Sequence, residues 1–216
     1  MRFLLSAPLA LACAVYVAPQ ANPQPVPPVS ADAQAVGFID VRSAIPDAAI
    51  DLRYATANNF VGEALYPPDA RCLIHQSLGP GLAIAAEALR AQGLALVFWD
   101  CYRPHSVQVR MFEAVPDPAW VARPGRYSRS HESGRSVDVT LADARGPLDM
   151  GTDFDEFSAR ATAYATDGVS TLAQHNRARL REAMAAGGLA VYFGEWWHFD
   201  GPGADVQRPI VDVPVN

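Results

Sequence analysis

The sequence predicts one α+β domain, a central antiparallel sheet flanked by helices. Two observations point there. Short runs with the two-residue period or the apolar density of strands are mixed with Ala/Leu-rich helical runs, without the strict βαβ alternation of a parallel sheet. The 216 residues suit one domain with a tail, and half of them are hydrophobic against 19% charged, enough to fill a core.

Taken in order, the chain opens with Arg2 and an apolar run from Phe3 to Ala12, followed by small residues. That is the pattern of a secretory signal peptide, here given residues 1–18. The run is too short for a bilayer core of ~30 Å. Cys13 offers a lesser alternative, the lipidated cysteine of a lipoprotein. Residues 19–35 are Pro-rich without apolar period and read as an extended linker, so the folded domain is expected over 36–216. Ala49 to Ala55 alternates as a strand. Pro80 to Gln92 is a helix with Pro at its start and Gly93 as its stop. Leu94 to Trp99 is a buried strand, and Pro104 to Val115 a second helix. Prolines and Gly125 make 116–130 a loop. Ser136 to Leu141 alternates as a strand. Ser170 caps a helix carrying Leu172, Leu180 and Met184 on one face and stopping at Gly187-Gly188. Leu189 to Phe193 is a last strand, leading into Glu195-Trp196-Trp197-His198.

Composition removes several chemistries. All 17 basic residues are Arg. Without lysine there is no Schiff base, no Ser-Lys dyad and no phosphate-loop Lys. Arginine does not deprotonate at working pH, so proton transfer falls to His, Glu, Asp, Tyr or a metal-bound water. A net charge of −6 with no basic stripe argues against nucleic acid as a partner.

His131 and Asp138 are seven apart, too far along a straight helix and on opposite faces of a straight strand. Sharing a metal requires a bend, which Gly134 can supply. His198 can be a third ligand, with Glu195 three residues before it as a free carboxylate. Arg103 follows Asp100 by three and is most simply held by it. Trp196 and Trp197 read as core or pocket wall, and His75, His105 and His175 as surface or structural histidines.

The order of these pieces carries more than any one of them. WD-x-YRP, then SH-x2-G-x3-D, then EWWH near the C-terminus resembles the D-alanyl-D-alanine dipeptidase family, zinc enzymes that include the dipeptidases of vancomycin resistance. DLRYATANNFVG, LDMGTDFDEF and QHNRARLREAM also look like that family's segments in the same order, so the resemblance runs from about Ile45 to Phe199. It implies one Zn2+ at the sheet, held by His131, Asp138 and His198, with Glu195 as general base towards a metal-bound water. It implies that Arg103 faces the scissile carbonyl, that Asp100 orients Arg103, and that Asp155 and Tyr54 meet the substrate, Asp155 at its ammonium. The implied reaction is hydrolysis of D-alanyl-D-alanine to two D-alanines. A carboxypeptidase acting on peptidoglycan stem peptides and an inert cell-wall binding module are the alternatives.

The sequence departs from the family pattern two residues before His131, where Arg129 stands in place of a usual Ser and leaves fine specificity open. Cys72 and Cys101 remain once a signal is removed, and an even pair in a secreted, periplasmic protein suggests a disulfide, the alternative being two buried thiols. The expected partner is a small dipeptide, with no membrane span in the mature form.

Overall fold

The computed structural model describes residues 25–216, so the expected signal segment and Cys13 lie outside the described residues. The ordered body starts earlier than expected. Within the stretch read as linker, Ser30 caps a short helix, α1 (Ala31–Ala35), by accepting from the Ala33 amide, and Ala33 is fully buried. The Pro27 and Pro28 carbonyls accept from Arg71.

Strands β1 (Phe38–Asp40) and β3 (Leu73–His75) form a small antiparallel pair. The main sheet holds β2 (Ala49–Ile50), β4 (Ala95–Asp100), β5 (Ser136–Asp143), β6 (Gly146–Pro147), β7 (Ala190–Val191) and β8 (His198–Asp200). Its order is β2-β4-β5-β8-β7, with β6 paired to β5. Every pair is antiparallel except the edge pair β2–β4, which is parallel. The centre is therefore the antiparallel sheet expected, and the mixed edge arises from the non-local pairing of β2 with β4.

The helices are α2 (Gly79–Arg90), α3 (His105–Ala114) and α4 (Thr171–Ala186). Helix α2 packs on β4, α4 on β5, and the two helices on each other. Val137, Val139 and Leu141 of β5 are fully buried. The alternate residues Ser136, Asp138 and Thr140 point to the opposite face, which carries the site. A Cβ on Gly81 would stand 2.2 Å from the Gly187 carbonyl, so glycine at both positions lets the two helices meet.

Three details differ from the expectation. The strand expected over Ala49 to Ala55 ends at Ile50, and Arg53–Ala55 turns as a 3-10 helix that buries Tyr54. Leu172 is 60% exposed, and α4 instead buries Ala173, Asn176, Arg177, Leu180, Ala183 and Met184. The last expected strand is shortened to β7, because the chain turns at Tyr192–Gly194 to bring Glu195 round. Trp196 and Trp197 are both core, with Trp196 donating to the Thr152 hydroxyl at 2.7 Å.

Candidate metal centre and peptide pocket

One row of residues crosses three neighbouring strands. Asp138 of β5 pairs with His198 of β8 on one side and with Asp100 of β4 on the other. The register of β4 against β5 slips between Phe98 and Asp100, a bulge that absorbs Trp99 and aims Asp100 towards the site face. His131 reaches this row from the 3-10 turn Ser130–Ser133. The bend between His131 and Asp138 is made at Gly134, which lies at φ +64, and a Cβ there would come within 2.7 Å of the Phe38 ring. Ser130 also takes a positive φ of 51, unusual for a residue with a side chain, at the turn that presents His131.

Three ligand atoms converge. His131 Nε2 lies 3.0 Å from His198 Nδ1 and 3.2 Å from Asp138 Oδ1, and His198 Nδ1 lies 3.1 Å from the same oxygen. Their outer partners determine what these atoms are. The Cys101 carbonyl, which only accepts, is 2.7 Å from His131 Nδ1, so that nitrogen carries the proton and Nε2 presents its lone pair. Asp200 accepts a hydrogen bond from His198 Nε2 at 3.0 Å, and Nδ1 faces the centre. Three such atoms at this spacing need a proton or a metal cation between them. Two imidazoles and one carboxylate are a usual catalytic zinc set, and ligands at ~2.0–2.1 Å from a tetrahedral ion stand about 3.3 Å apart. The residues therefore fit zinc. Burial lowers the His198 ring, but its hydrogen bonds to Asp138 and Asp200 outweigh this and push it up to about 10. Burial raises Asp138, and the neighbouring His131 and His198 overcome it to hold the carboxyl well below the usual range. A metal that binds here displaces the proton held between His198 and Asp138.

The remaining expected residues gather around the triad. Glu195 comes within 3.9 Å of His198 Nδ1 without joining the triangle, and burial raises its carboxyl against the pull of His198. Arg103 donates to Asp100 through Nε at 3.0 Å and Nη2 at 2.7 Å, and its Nη2 stands 3.9 Å from Asp138. Burial works against its charge, and Asp100 foremost restores it. Tyr54 donates to Asp155 at 2.7 Å, and the Arg103 guanidinium lies over the Tyr54 ring at 5.3 Å. Asp155 sits at φ +56, and burial pushes its carboxyl well up, opposed by the Tyr54 hydroxyl. Arg129 is exposed and lines the same cavity. Cys72 and Cys101 are bonded, tying β3 to the end of β4.

Several contributors escaped the sequence reading. Asp200 braces His198, and Tyr66 donates to Asp100 at 2.7 Å. Gln108 accepts from Arg103 at 2.7 Å and donates to the Ala122 carbonyl at 2.6 Å. His105, read as surface or structural, pairs with Glu132 at 2.5 Å beside the pocket. Asp200 lies two residues past His198 and Gln108 five past Arg103, whereas Tyr66 and Glu132 come to Asp100 and His105 from distant parts of the chain.

The cavity over the triad has a volume of about 680 Å³. Residues 34–216 match the peptidase family described as D-ala-D-ala dipeptidase. The chain is 40% identical to the D-alanyl-D-alanine dipeptidase of Escherichia coli K12 over 77% of this chain and 86% of that one. It is 28% identical to the D-alanyl-D-alanine dipeptidase of Enterococcus faecium over 84% and 99% of the two chains. A crystal structure of the vancomycin resistance D,D-pentapeptidase VanY with Zn(II) aligns with 18% identity and a TM-score of 0.39, over 62% of this chain and 75% of that chain. The triad and its surroundings thus sit in a chain whose matches cover almost the whole described body: it belongs to the D-alanyl-D-alanine dipeptidase family of peptidases.

Proposed function

We propose that this protein is a zinc peptidase that hydrolyses the dipeptide D-alanyl-D-alanine to two D-alanines. The observation that carries this reading is the triangle of His131 Nε2, Asp138 Oδ1 and His198 Nδ1 with Glu195 and Arg103 beside it. Zinc, when bound, supplies Lewis acidity and acidifies water to a pKa of about 7. Glu195 takes the proton of the attacking water and returns it to the leaving amine, and a carboxyl raised by burial is the better matched to that exchange at neutral pH. The Arg103 guanidinium stabilises the negative charge that develops on the carbonyl oxygen, and Asp100 and Gln108 fix its orientation. At the far side, Asp155 and Tyr54 receive the free ammonium of the substrate, which an extended peptide does not offer. The wild-type enzyme should release alanine from D-Ala-D-Ala and not from L-Ala-L-Ala, with activity abolished by a chelator and restored by zinc. Equal turnover of D-Ala-D-Ala and of a stem pentapeptide ending in D-Ala-D-Ala would overturn the dipeptidase reading in favour of a carboxypeptidase.

The same reading places the protein outside the cytoplasm, in the periplasm, after loss of residues 1–18, with a lipid anchor at Cys13 as the lesser alternative. The apolar run behind Arg2 supports export, and a Cys72–Cys101 bond suits an oxidising compartment. Among the described residues no helix is long and apolar enough to cross a membrane.

A further inference from the structure

The cavity is larger than its assigned work requires. D-Ala-D-Ala has about a dozen non-hydrogen atoms, whereas cavities of ~300–1,000 Å³ serve ligands of drug size. The triad, Glu195, Arg103, Tyr54 and Asp155 account for one part of the roughly 680 Å³. Beyond Asp155 the wall becomes aromatic. The Tyr54 ring, whose hydroxyl holds Asp155, meets Phe60 edge-on at 6.3 Å. Phe60 packs on Phe157 at 5.2 Å, and Phe157 stacks on Trp120 at 5.4 Å with 22° between the rings. All four line the cavity, and Trp120 remains 40% exposed.

The aromatic wall is attached to the catalytic groups at both ends. Phe157 lies two residues after Asp155, and Trp120 lies two residues before Ala122, whose carbonyl is bound by the Gln108 that holds Arg103. Elsewhere the cavity lining is mixed, with Arg129, Asp200, Asp205 and Gln207 beside Tyr127, Tyr192 and Ala204 and, among the described residues, with no second stack of aromatic rings. An ammonium seated on Asp155 puts the first residue of a dipeptide next to the stacked aromatic end and leaves the second to the mixed lining.

We infer that the enzyme accepts dipeptides whose amino-terminal residue carries a large apolar side chain, such as D-phenylalanyl-D-alanine, with Phe60, Phe157 and Trp120 as the subsite for that side chain. The bond broken and the water consumed are those of the D-Ala-D-Ala reaction, on which this inference rests. Burying an aromatic side chain against aromatic walls favours binding beyond its area alone.

The test compares kcat/KM of the zinc-loaded enzyme on D-Ala-D-Ala, D-Phe-D-Ala and D-Ala-D-Phe. D-Phe-D-Ala should be cleaved within about tenfold of D-Ala-D-Ala and at least about tenfold better than D-Ala-D-Phe. Trp120→Ala, and Phe157→Leu as a milder variant, should lower the ratio of D-Phe-D-Ala to D-Ala-D-Ala kcat/KM by about tenfold. Calorimetric binding of both dipeptides to Glu195→Ala protein, with and without Trp120→Ala, gives a readout independent of turnover. Cleavage of D-Ala-D-Ala without cleavage of D-Phe-D-Ala, or a ratio unchanged in both variants, overturns the subsite. Failure to cleave either dipeptide, together with tighter binding of D-Phe-D-Ala that Trp120→Ala abolishes, overturns the reaction and keeps the subsite. Failure to cleave or bind either overturns both.

Discussion

At the candidate metal end of the pocket each ligand is braced from behind, while across the pocket Asp155 relies on one side-chain hydrogen bond. His131 is anchored by the Cys101 carbonyl and His198 by Asp200, and Asp138 lies between paired strands on both sides. Asp155 sits on a loop in a left-handed conformation, its carboxyl held by Tyr54. Two of the three ligand atoms thus come from neighbouring strands and the third from a turn anchored to the end of β4, whereas Asp155 comes from a loop that can change without disturbing them. Left-handed backbone at a residue other than glycine, as at Asp155, costs of order 1–3 kcal/mol and persists where the surroundings demand it.

The contrast is most severely tested at Glu195. Glu195→Ala should lower kcat on D-Ala-D-Ala by about 10²–10⁴-fold, with zinc stoichiometry by elemental analysis unchanged. Loss of metal in that variant would mean that Glu195 belongs to the ligand set. Next comes Asp155→Asn, which keeps the left-handed turn and the acceptor for Tyr54 while removing the charge. Its kcat/KM should fall by about 10–100-fold, chiefly through KM, with zinc retained. Burial holds the Asp155 carboxyl above its usual value, so the folded chain keeps that proton at higher pH than the unfolded chain does. Ionised Asp155 therefore costs stability, and the cost disappears as pH falls through the raised value. Metal-free Asp155→Asn should accordingly melt above the parent at about pH 8, and the gap should close towards about pH 4. A melting point below the parent at both pH values would show that the charge stabilises the fold.

Two weaker perturbations address the bracing. Asp200→Ala should loosen zinc by about 10–100-fold in a chelator competition while leaving kcat at saturating zinc close to the parent. The Cys72→Ser, Cys101→Ser pair should cost about 3–4 kcal/mol in denaturant unfolding, the chain-entropy figure for this loop, with the smallest change in turnover. A collapse of turnover at saturating zinc would mean that the covalent tie itself positions the carbonyl behind His131.

How much of this was legible in sequence follows the range of each interaction. Helices α2 and α4 announce themselves by local signals, Pro80 and Ser170 at their starts and Gly93 and Gly187-Gly188 beyond their ends. The need for a bend at Gly134 follows from spacing alone. Leu172 misled because helical period does not say which turn of a helix overhangs its neighbour. The strand through Ala49–Ala55 read correctly in its first residues and failed where Tyr54 turns inward to reach Asp155, about a hundred residues away in sequence. α1 was hidden by prolines on its N-terminal side, although Ser30 followed by an Ala-rich run is a cap signal. Glu132 and Tyr66 have no local pattern, because what defines each is a partner from a distant part of the chain, and Gln108, only five residues past Arg103, matches no spacing that marks such a contact.

The row of Asp100, Asp138 and His198 also bears on how the chain finds its pairing. A one-residue slip of β8 along β5 would turn His198 to the helix-covered face and leave Asp138 opposite a main-chain neighbour of the wrong parity. Only the native alignment completes the triad, so a zinc ion held there would bind the correctly paired chain in preference to its slipped competitors. Such an ion would favour the right strand register during folding to the extent that it binds the native pairing better than the slipped or unfolded chain.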